Sequence, residues 1–231
     1  MSKDVAKSQS KTFIDRVTAL ELNVIEELAL PRLLTERVRS PKRLSLFATA
    51  FYFVRAHFVK LNFIIGARCP AHELYWAGLA HNLMEELGGG IGPPHNELYR
   101  WFMQETGIKD ENSLKCPRFA AEFDRAWEDY SRDAPLEEAL GAIAVYEILD
   151  NPDYRMLCQA MASAGVSKRG LMFFKVHAKA AHFELFEDYF RHISKEPGGM
   201  KSLTKATDFV VQTQRNMWSG LLEYLAGNTH M

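Results

Sequence analysis

The stretch Gly170–Ile193, GLMFFKVHAKAAHFELFEDYFRHI, contains no proline and no internal glycine, and apolar residues surround most of its circumference. This pattern predicts one long helix buried between other helices rather than lying on a surface. At about 100° per residue, His177, Glu184 and Asp188 fall within roughly 60° of one another, whereas His182 belongs to a wetter face. An imidazole and a carboxylate two turns apart on an inward face favour a metal site, with a buried, hydrogen-bonded histidine as the alternative.

Proline and glycine divide the rest of the chain into further helical segments. The predicted helices are Ser10–Leu30, Pro41–Ala67, His72–Leu87, His95–Glu105, Pro117–Arg132, Leu136–Leu149, a segment opened by Asn151-Pro152 and running to about Ser163, and Lys201–Leu225. No stretch alternates with period two between turn signals, so the sequence predicts no strand. We therefore expect an all-α bundle of about seven to eight helices. Residues 11–227 would form its single domain, and the polar segment 1–10 would be disordered.

Composition and charge exclude several classes of protein. The 231 residues are 47% apolar and 25% charged, an ordinary globular balance, and a net charge of −1 without a basic run argues against nucleic-acid binding. Three widely spaced cysteines, Cys69, Cys116 and Cys158, predict neither a disulfide framework nor a thiolate zinc site. The apolar stretch Leu44–Ala67 is interrupted by charged and polar residues, and the N-terminus lacks a signal-peptide pattern. We expect no membrane association and a cytoplasmic location.

A second informative stretch is Asn82–Leu98, NLMEELGGGIGPPHNEL. Glu85 and Glu86 end one helix, a glycine- and proline-rich turn reverses the chain, and His95 begins the next helix. Adjacent antiparallel helices would bring a carboxylate and an imidazole to the same level, and only one of the two glutamates can face inward. The alternative is a solvated helix end with His95 as a cap residue. A phosphate-binding loop is not indicated, because no Lys-Ser/Thr pair follows the glycines.

A third candidate is Glu147, a lone carboxylate in the apolar run Ala142–Leu149. A buried carboxylate is costly unless it is protonated, hydrogen-bonded or bound to a cation, although an exposed helix edge is equally compatible. The combined candidate ligands are two imidazoles and three carboxylates: Glu86 (or Glu85), His95, Glu147, His177 and Glu184. Hard carboxylates with imidazoles favour iron or manganese and, without thiolates, argue against structural zinc.

Four short motifs lie on these predicted helices, each occurring once: Asn82–Glu86 ahead of a glycine, His95–Leu98, Tyr146-Glu147 and Phe173–His177. In this combination the sequence resembles the heme-oxygenase-like diiron oxidases and oxygenases, fold relatives of thiaminase II and pyrroloquinoline quinone synthase. The resemblance extends from about Leu30 to the last helix and implies a heme-oxygenase-like helical bundle. It also implies iron ligands at the corresponding positions, which are Glu86, His95, Glu147 and His177.

The sequence departs from the family pattern after His177, where Ala181 replaces an aspartate and Glu184 replaces a histidine. The resemblance implies two irons per chain, and this departure favours one tightly held and one weak metal, with manganese as an alternative. His57, on an apolar segment, is a candidate extra ligand or a satisfied core histidine.

The family's chemistry implies a dioxygen-dependent oxidase or oxygenase acting on a small organic substrate such as an amino acid, amine or fatty acid. An external electron donor and a homodimer are compatible with this expectation. The alternatives are a cofactor-free oxidase or hydrolase that uses the same cavity, and a non-catalytic helical binding protein with a degenerate site. A heme protein with His57 or His177 as axial ligand is a further alternative.

Overall fold

The computed structural model of the chain describes residues 3–56, 58–89, 92–179, 183 and 186–227, with side chains from residue 11 onward. Its helices are α1 (Lys3–Glu27), α2 (Leu30–Arg37), α3 (Pro41–Arg55), α4 (Phe58–Gly66), α5 (Glu73–Glu86), α6 (His95–Glu105), α7 (Arg118–Asp133), α8 (Leu136–Ser163), α9 (Met172–His177), α10 (Glu187–Ile193) and α11 (Gly199–Ala226). A short 3₁₀ turn, Glu111–Ser113, lies between α6 and α7. The described residues contain no strand, so the all-α prediction is confirmed.

Helix α8 lies at the centre of the bundle. It packs against α1, α2, α9 and α11, and most of its side chains are buried. One cluster of buried apolar side chains runs through all of these helices, from Val17 in α1 to Leu225 in α11. The element around which the core forms is therefore α8, and not the segment after Gly170 that the apolar pattern favours.

Several helix boundaries follow from local chemistry. Ser40 caps α3 by accepting a hydrogen bond from the Arg43 backbone N–H, and Pro41 occupies the first turn, where a missing N–H costs nothing. His72 caps α5 through its Nδ1 atom, 3.1 Å from the Leu74 backbone nitrogen. Helix α6 begins at His95 and ends at Glu105, as predicted. At the N-terminus, α1 begins at Lys3, inside the segment for which composition favours disorder.

The predicted helix break at Asn151-Pro152 is wrong. Helix α8 is 28 residues long, Leu136–Ser163, and continues through Pro152 without a break. Proline removes one backbone hydrogen bond and crowds the preceding turn, so it favours a break in an isolated helix. Here the flanking turns are held on both sides of the proline by the buried residues Leu149, Tyr154 and Leu157, and tertiary packing outweighs the local preference.

The single helix predicted over Gly170–Ile193 is also wrong. Helix α9 ends at His177, where the Lys179 N–H bonds to the Val176 carbonyl in a tightened 3₁₀-type turn, and α10 begins only at Glu187. Residues from Phe183 to Ile193 bury four aromatic rings, two of which, Phe183 and Phe190, approach Phe13 of α1 to 6.4 and 4.8 Å between ring centroids. Packing against α1 thus redirects a segment whose sequence favours an uninterrupted helix.

The helix predicted over Pro41–Ala67 is likewise divided, because α3 ends at Arg55 and α4 begins at Phe58. The two pieces have different partners: α3 packs on α6, α7 and α11, whereas α4 packs on α5 and α7. Pro41–Gly66 is, by length and composition alone, a candidate membrane span. In the fold its apolar residues Phe47, Phe51 and Ile65 are buried against the other helices.

Candidate metal centre

Three side chains from three helices converge in the interior of the bundle. Glu86 ends α5, His95 opens α6 and His177 ends α9; their exposed fractions are 7%, 5% and 4%. Glu86 Oε1 lies 2.7 Å from His95 Nδ1 and 3.5 Å from His177 Nε2. One potential ligand atom from each residue lies within 4.8 Å of the other two. We call Glu86, His95 and His177 the triad.

The two nitrogens of His177 have different roles. Nδ1 lies 2.9 Å from the Phe173 carbonyl oxygen, which can only accept a hydrogen bond, so Nδ1 carries a proton. Burial lowers the pKa of His177 and outweighs the opposing attraction of Glu86. Nε2 lies 3.5 Å from Glu86 Oε1, so these two atoms can share a proton or can bind one cation together.

The Glu86 carboxylate keeps its charge in this buried position. Burial acts to raise its pKa, but the contacts with the rings of His177 and His95 prevail and hold the pKa well below its usual range. His95 Nδ1 lies 2.7 Å from the carboxylate oxygen, and the His95 and His177 rings meet edge to face, 4.6 Å apart between centroids. The triad consequently offers one carboxylate and two imidazoles as potential ligands.

Aromatic rings hold His177 in place. Tyr154 of α8 stacks on the imidazole with a centroid distance of 4.4 Å and an interplanar angle of 23°, and the Phe173 ring lies 4.3 Å away. Both rings are buried. A histidine that donates one ring N–H to a carbonyl and leaves the other nitrogen toward a carboxylate has the orientation usual for a metal ligand.

Glu147 lies next to the triad without belonging to it. Its carboxylate is 2% exposed, and its Oε1 accepts a hydrogen bond of 2.6 Å from the Asn82 side-chain amide. Asn82 stands one turn before Glu86 on the same face of α5, so its hydrogen bond links Glu147 of α8 to the helix that carries Glu86. Glu147 is thus buried and hydrogen-bonded, and it is not within 4.8 Å of all three triad atoms.

Comparison with known proteins agrees with this geometry. Residues 45–192 match the model of a family described as iron-containing redox enzymes. The chain belongs to this family. The match includes the whole triad and Glu147, so the helices that carry the buried acceptors are the ones the family shares.

Two solved structures share the fold of this iron-containing redox enzyme. One is a domain of unknown function with a heme oxygenase-like fold from Shewanella denitrificans, with a TM-score of 0.75 and 14% identity, covering 96% of this chain and 95% of that one. The other is a CADD-like protein of unknown function from Nostoc punctiforme, with a TM-score of 0.73 and 14% identity, covering 92% and 98%. The predicted heme-oxygenase-like bundle is confirmed. A search of the curated proteins finds no match.

The remaining predicted site residues are placed less centrally in this redox-enzyme fold. Glu85 is half-buried, and its carboxylate lies 4.0 Å from His81, so Glu86 is the inward glutamate of the pair. Asp188, predicted to share the face of His177, is exposed and pairs with Arg191 at 3.1 Å, because the helix is not continuous. His57, Ala181, His182 and Glu184 lie outside the described residues, so their predicted roles stay predictions.

Two residues that contact the site, Asn82 and Tyr154, were not predicted from the sequence to do so. The role of Asn82 as hydrogen-bond donor to Glu147 could have been inferred from its position one turn before Glu86. The stacking of Tyr154 on His177 could have been inferred from its place two turns after Glu147, had α8 been predicted to continue through Pro152.

A cavity of about 620 Å³ lies beside Glu147, between α1 and α8. Its apolar walls include Ile14, Leu22 and Ile25 from α1 and Ile148 and Met156 from α8. The same cavity is lined by two cations, Arg155 and Lys179. A space of this volume accommodates a small organic molecule next to the buried carboxylate.

Proposed function

We propose that this protein is a non-heme iron oxidase or oxygenase that uses dioxygen on a small organic substrate. The observation that carries the proposal is the buried triad, in which His177 Nε2 lies 3.5 Å and His95 Nδ1 lies 2.7 Å from the same Glu86 oxygen. A divalent cation bound by these three side chains would replace the proton that they otherwise share.

The donor set fits iron. Two imidazoles and one carboxylate are the ligand combination of mononuclear non-heme iron oxygenases, and they leave positions for substrate and dioxygen. Bound iron would supply the one-electron chemistry that activates dioxygen. Glu86 would provide the charge, the Phe173 carbonyl would fix the tautomer of His177, and the surrounding aromatic rings would exclude water. Manganese has a similar preference for such ligands and is the alternative occupant.

Glu147 supports a second, weaker metal position. Its carboxylate accepts a hydrogen bond from Asn82, which stands one turn before Glu86 on α5, and the sequence has Ala181 where the family pattern has a ligating aspartate. We therefore propose one tightly held ion at the triad and one weaker ion beside Glu147.

Metal analysis tests the proposal directly. The protein would be loaded with ferrous iron under anaerobic conditions, dialysed, and its iron measured per chain. We expect about one retained iron in the wild type and none in His177→Ala. His192→Ala is the matched control, because His192 is on α10 with a partly exposed side chain and contacts Glu196 rather than the triad. An iron-free wild type, or equal losses in both variants, would contradict the proposal and favour the cofactor-free or non-catalytic alternatives.

The residues that line the cavity support an organic acid as the proposed substrate. Arg155 and Lys179 are exposed at its wall, and neither forms an ion pair with another described residue. These two exposed positive charges outnumber the one buried carboxylate in the lining, Glu147, and so favour an acid, while the apolar walls favour a hydrocarbon body. An amine of the same size would meet two like charges at the exposed wall.

Binding measurements, with dioxygen uptake as a second readout, distinguish an acid substrate from an amine substrate. We expect the iron-loaded enzyme to bind a medium-chain carboxylic acid at least about tenfold more tightly than the amine of equal length. The double variant Arg155→Gln, Lys179→Gln should lose this preference while retaining its iron. Preference for the amine would contradict the assignment of an acid, without bearing on the metal.

A further inference from the structure

Arg55 is a buried cation that forms no ion pair with a carboxylate among the described residues. It ends α3 with only 7% of its surface exposed, and Glu111, the described carboxylate that feels its charge, is paired with Arg100. Its Nη1 atom is buried and has no hydrogen-bond partner. Burying a charge in this way costs several kcal/mol unless other groups compensate it, so the contacts that hold the guanidinium call for an explanation.

Three neutral side chains surround the guanidinium. Its carbon lies 4.7 Å from the centroid of the Phe173 ring and 5.1 Å from that of the Tyr99 ring, which are cation–π distances. Nη2 donates a hydrogen bond to the Asn96 side-chain oxygen. The planar guanidinium can stack on rings and donate in its plane at the same time, which an ammonium cannot do.

These three contacts lead to both imidazoles of the triad. Asn96 follows His95 in the first turn of α6, and Tyr99 lies one turn beyond His95 on the same helix. Phe173 provides the carbonyl that accepts from His177 Nδ1, and its ring lies 4.3 Å from the imidazole. Arg55 therefore contacts both α6 and α9, through residues that lie within about one turn of His95 and His177.

We infer that Arg55 is a positioning residue that fixes the orientation of His95 and His177 toward a shared metal ion. The inference rests on the metal binding proposed above. Two effects of the guanidinium have opposite signs: its charge repels a nearby cation, whereas its contacts order the two ligands. If ordering dominates, removing Arg55 weakens metal binding; if repulsion dominates, removing it strengthens binding.

Cobalt(II) titration of the metal-free full-length protein measures both the affinity and, through the visible absorption bands, the ligand geometry. Arg55→Met keeps the side-chain length without charge or donors, and Arg55→Lys keeps the charge without the planar group. We expect both variants to lose about tenfold or more in cobalt affinity, with altered absorption bands. Asn96→Ala, which removes only the hydrogen-bonded link toward His95, should give a smaller loss in the same direction.

Arg100→Met is the matched control, since Arg100 is on α6 but exposed and paired with Glu111 at 2.8 Å. It should bind cobalt within about twofold of the wild type. Tighter binding by Arg55→Met, or wild-type affinity and spectrum in folded Arg55→Met and Arg55→Lys, overturns the positioning role. Lower melting temperatures of the metal-free variants with unchanged cobalt binding would show a structural role only and overturn it as well. A wild type that takes up no cobalt would instead refute the metal centre itself.

Discussion

Glu85 and Glu86 are adjacent in sequence but differ in environment, and their difference can be measured. Glu86 is buried against His95 and His177, whereas Glu85 lies at the edge of α5 near His81. We expect Glu86→Gln to reduce iron affinity by at least about 100-fold, because an amide supplies no charge and binds the metal weakly. Glu85→Gln should bind iron like the wild type. Comparable losses in the two variants would show that the wrong glutamate faces the site.

A pair of carboxyl groups elsewhere in the core makes stability dependent on pH. Glu21 of α1 is fully buried next to Asp153 of α8, whose Oδ2 accepts a 2.6 Å hydrogen bond from Gln214. Burial raises the pKa of both groups, and their mutual repulsion adds to the rise for Asp153. The groups that surround the pair are Trp218, Arg215 and Asp150.

The direction of this pH dependence follows from the raised pKa values. Below about pH 3 the carboxyls are mostly protonated whether the chain is folded or not, and the pair costs little stability. As the pH rises, the unfolded chain loses these protons first, so the free energy of unfolding falls. Asp153→Asn should raise the melting temperature at pH 8 by roughly 2–4 °C and have little effect near pH 3. A gain that is equal at both pH values would rule out titration of the pair as its cause.

At the scale of the helices, Gly220 sets the distance between α11 and α7. A Cβ atom at this position would lie 2.6 Å from Phe119 Cβ, close to the backbone of α7, where little movement is available. We expect Gly220→Ala to destabilise the protein by about 1–2 kcal/mol, since overpacking outweighs the gain in helix propensity. Denaturant unfolding would measure the change.

Gly66, at the end of α4, is the control for that substitution. A Cβ there would meet only the end of the Leu79 side chain at an ordinary 3.8 Å. Gly66→Ala should be neutral or stabilising by up to about 1 kcal/mol. If the two alanine variants unfold at the same denaturant concentration, close approach of α7 and α11 is not what Gly220 permits.

Helix boundaries with a local chemical cause could be predicted from the sequence. The start of α6 at His95 follows from the preceding prolines, and α5 begins after its cap residue His72. The failures, at Pro152, after His177 and between Arg55 and Phe58, share a different cause. In all three places the decisive contacts are with helices distant in sequence, and local propensity carries no information about them.

Part of the candidate site could likewise be predicted from the sequence, and part could not. Glu86, His95 and His177 could be selected because each is a metal-ligating residue type beside an apolar helix face. Helical phase does not place Asp188 on the face of His177, because α9 ends at His177. The contacts of Arg55 with α6 and α9 could not be predicted from residue spacing or composition, because only the tertiary fold brings these helices together.

For the molecule as a whole, occupancy of the triad should appear as thermal stability. A ligand that binds only the folded state stabilises it by about 2.7 kcal/mol at 100 times its dissociation constant. For a chain of this length we expect ferrous iron to raise the melting temperature by roughly 5–10 °C under anaerobic conditions. A chelator should reverse the rise, and His177→Ala should show none. An equal rise in His177→Ala would indicate binding elsewhere on the surface.

The distribution of the triad along the chain also bears on when the site can form during protein synthesis. Glu86 and His95 are made within a few residues of each other, but His177 follows about eighty residues later. At typical elongation rates of about 5–20 residues per second, the third side chain emerges roughly 4–16 seconds after the second. A ribosome-bound chain therefore carries an incomplete triad until His177 has emerged. Ferrous ions in the cell would meet a finished binding site only after the helix that carries His177 has left the ribosome.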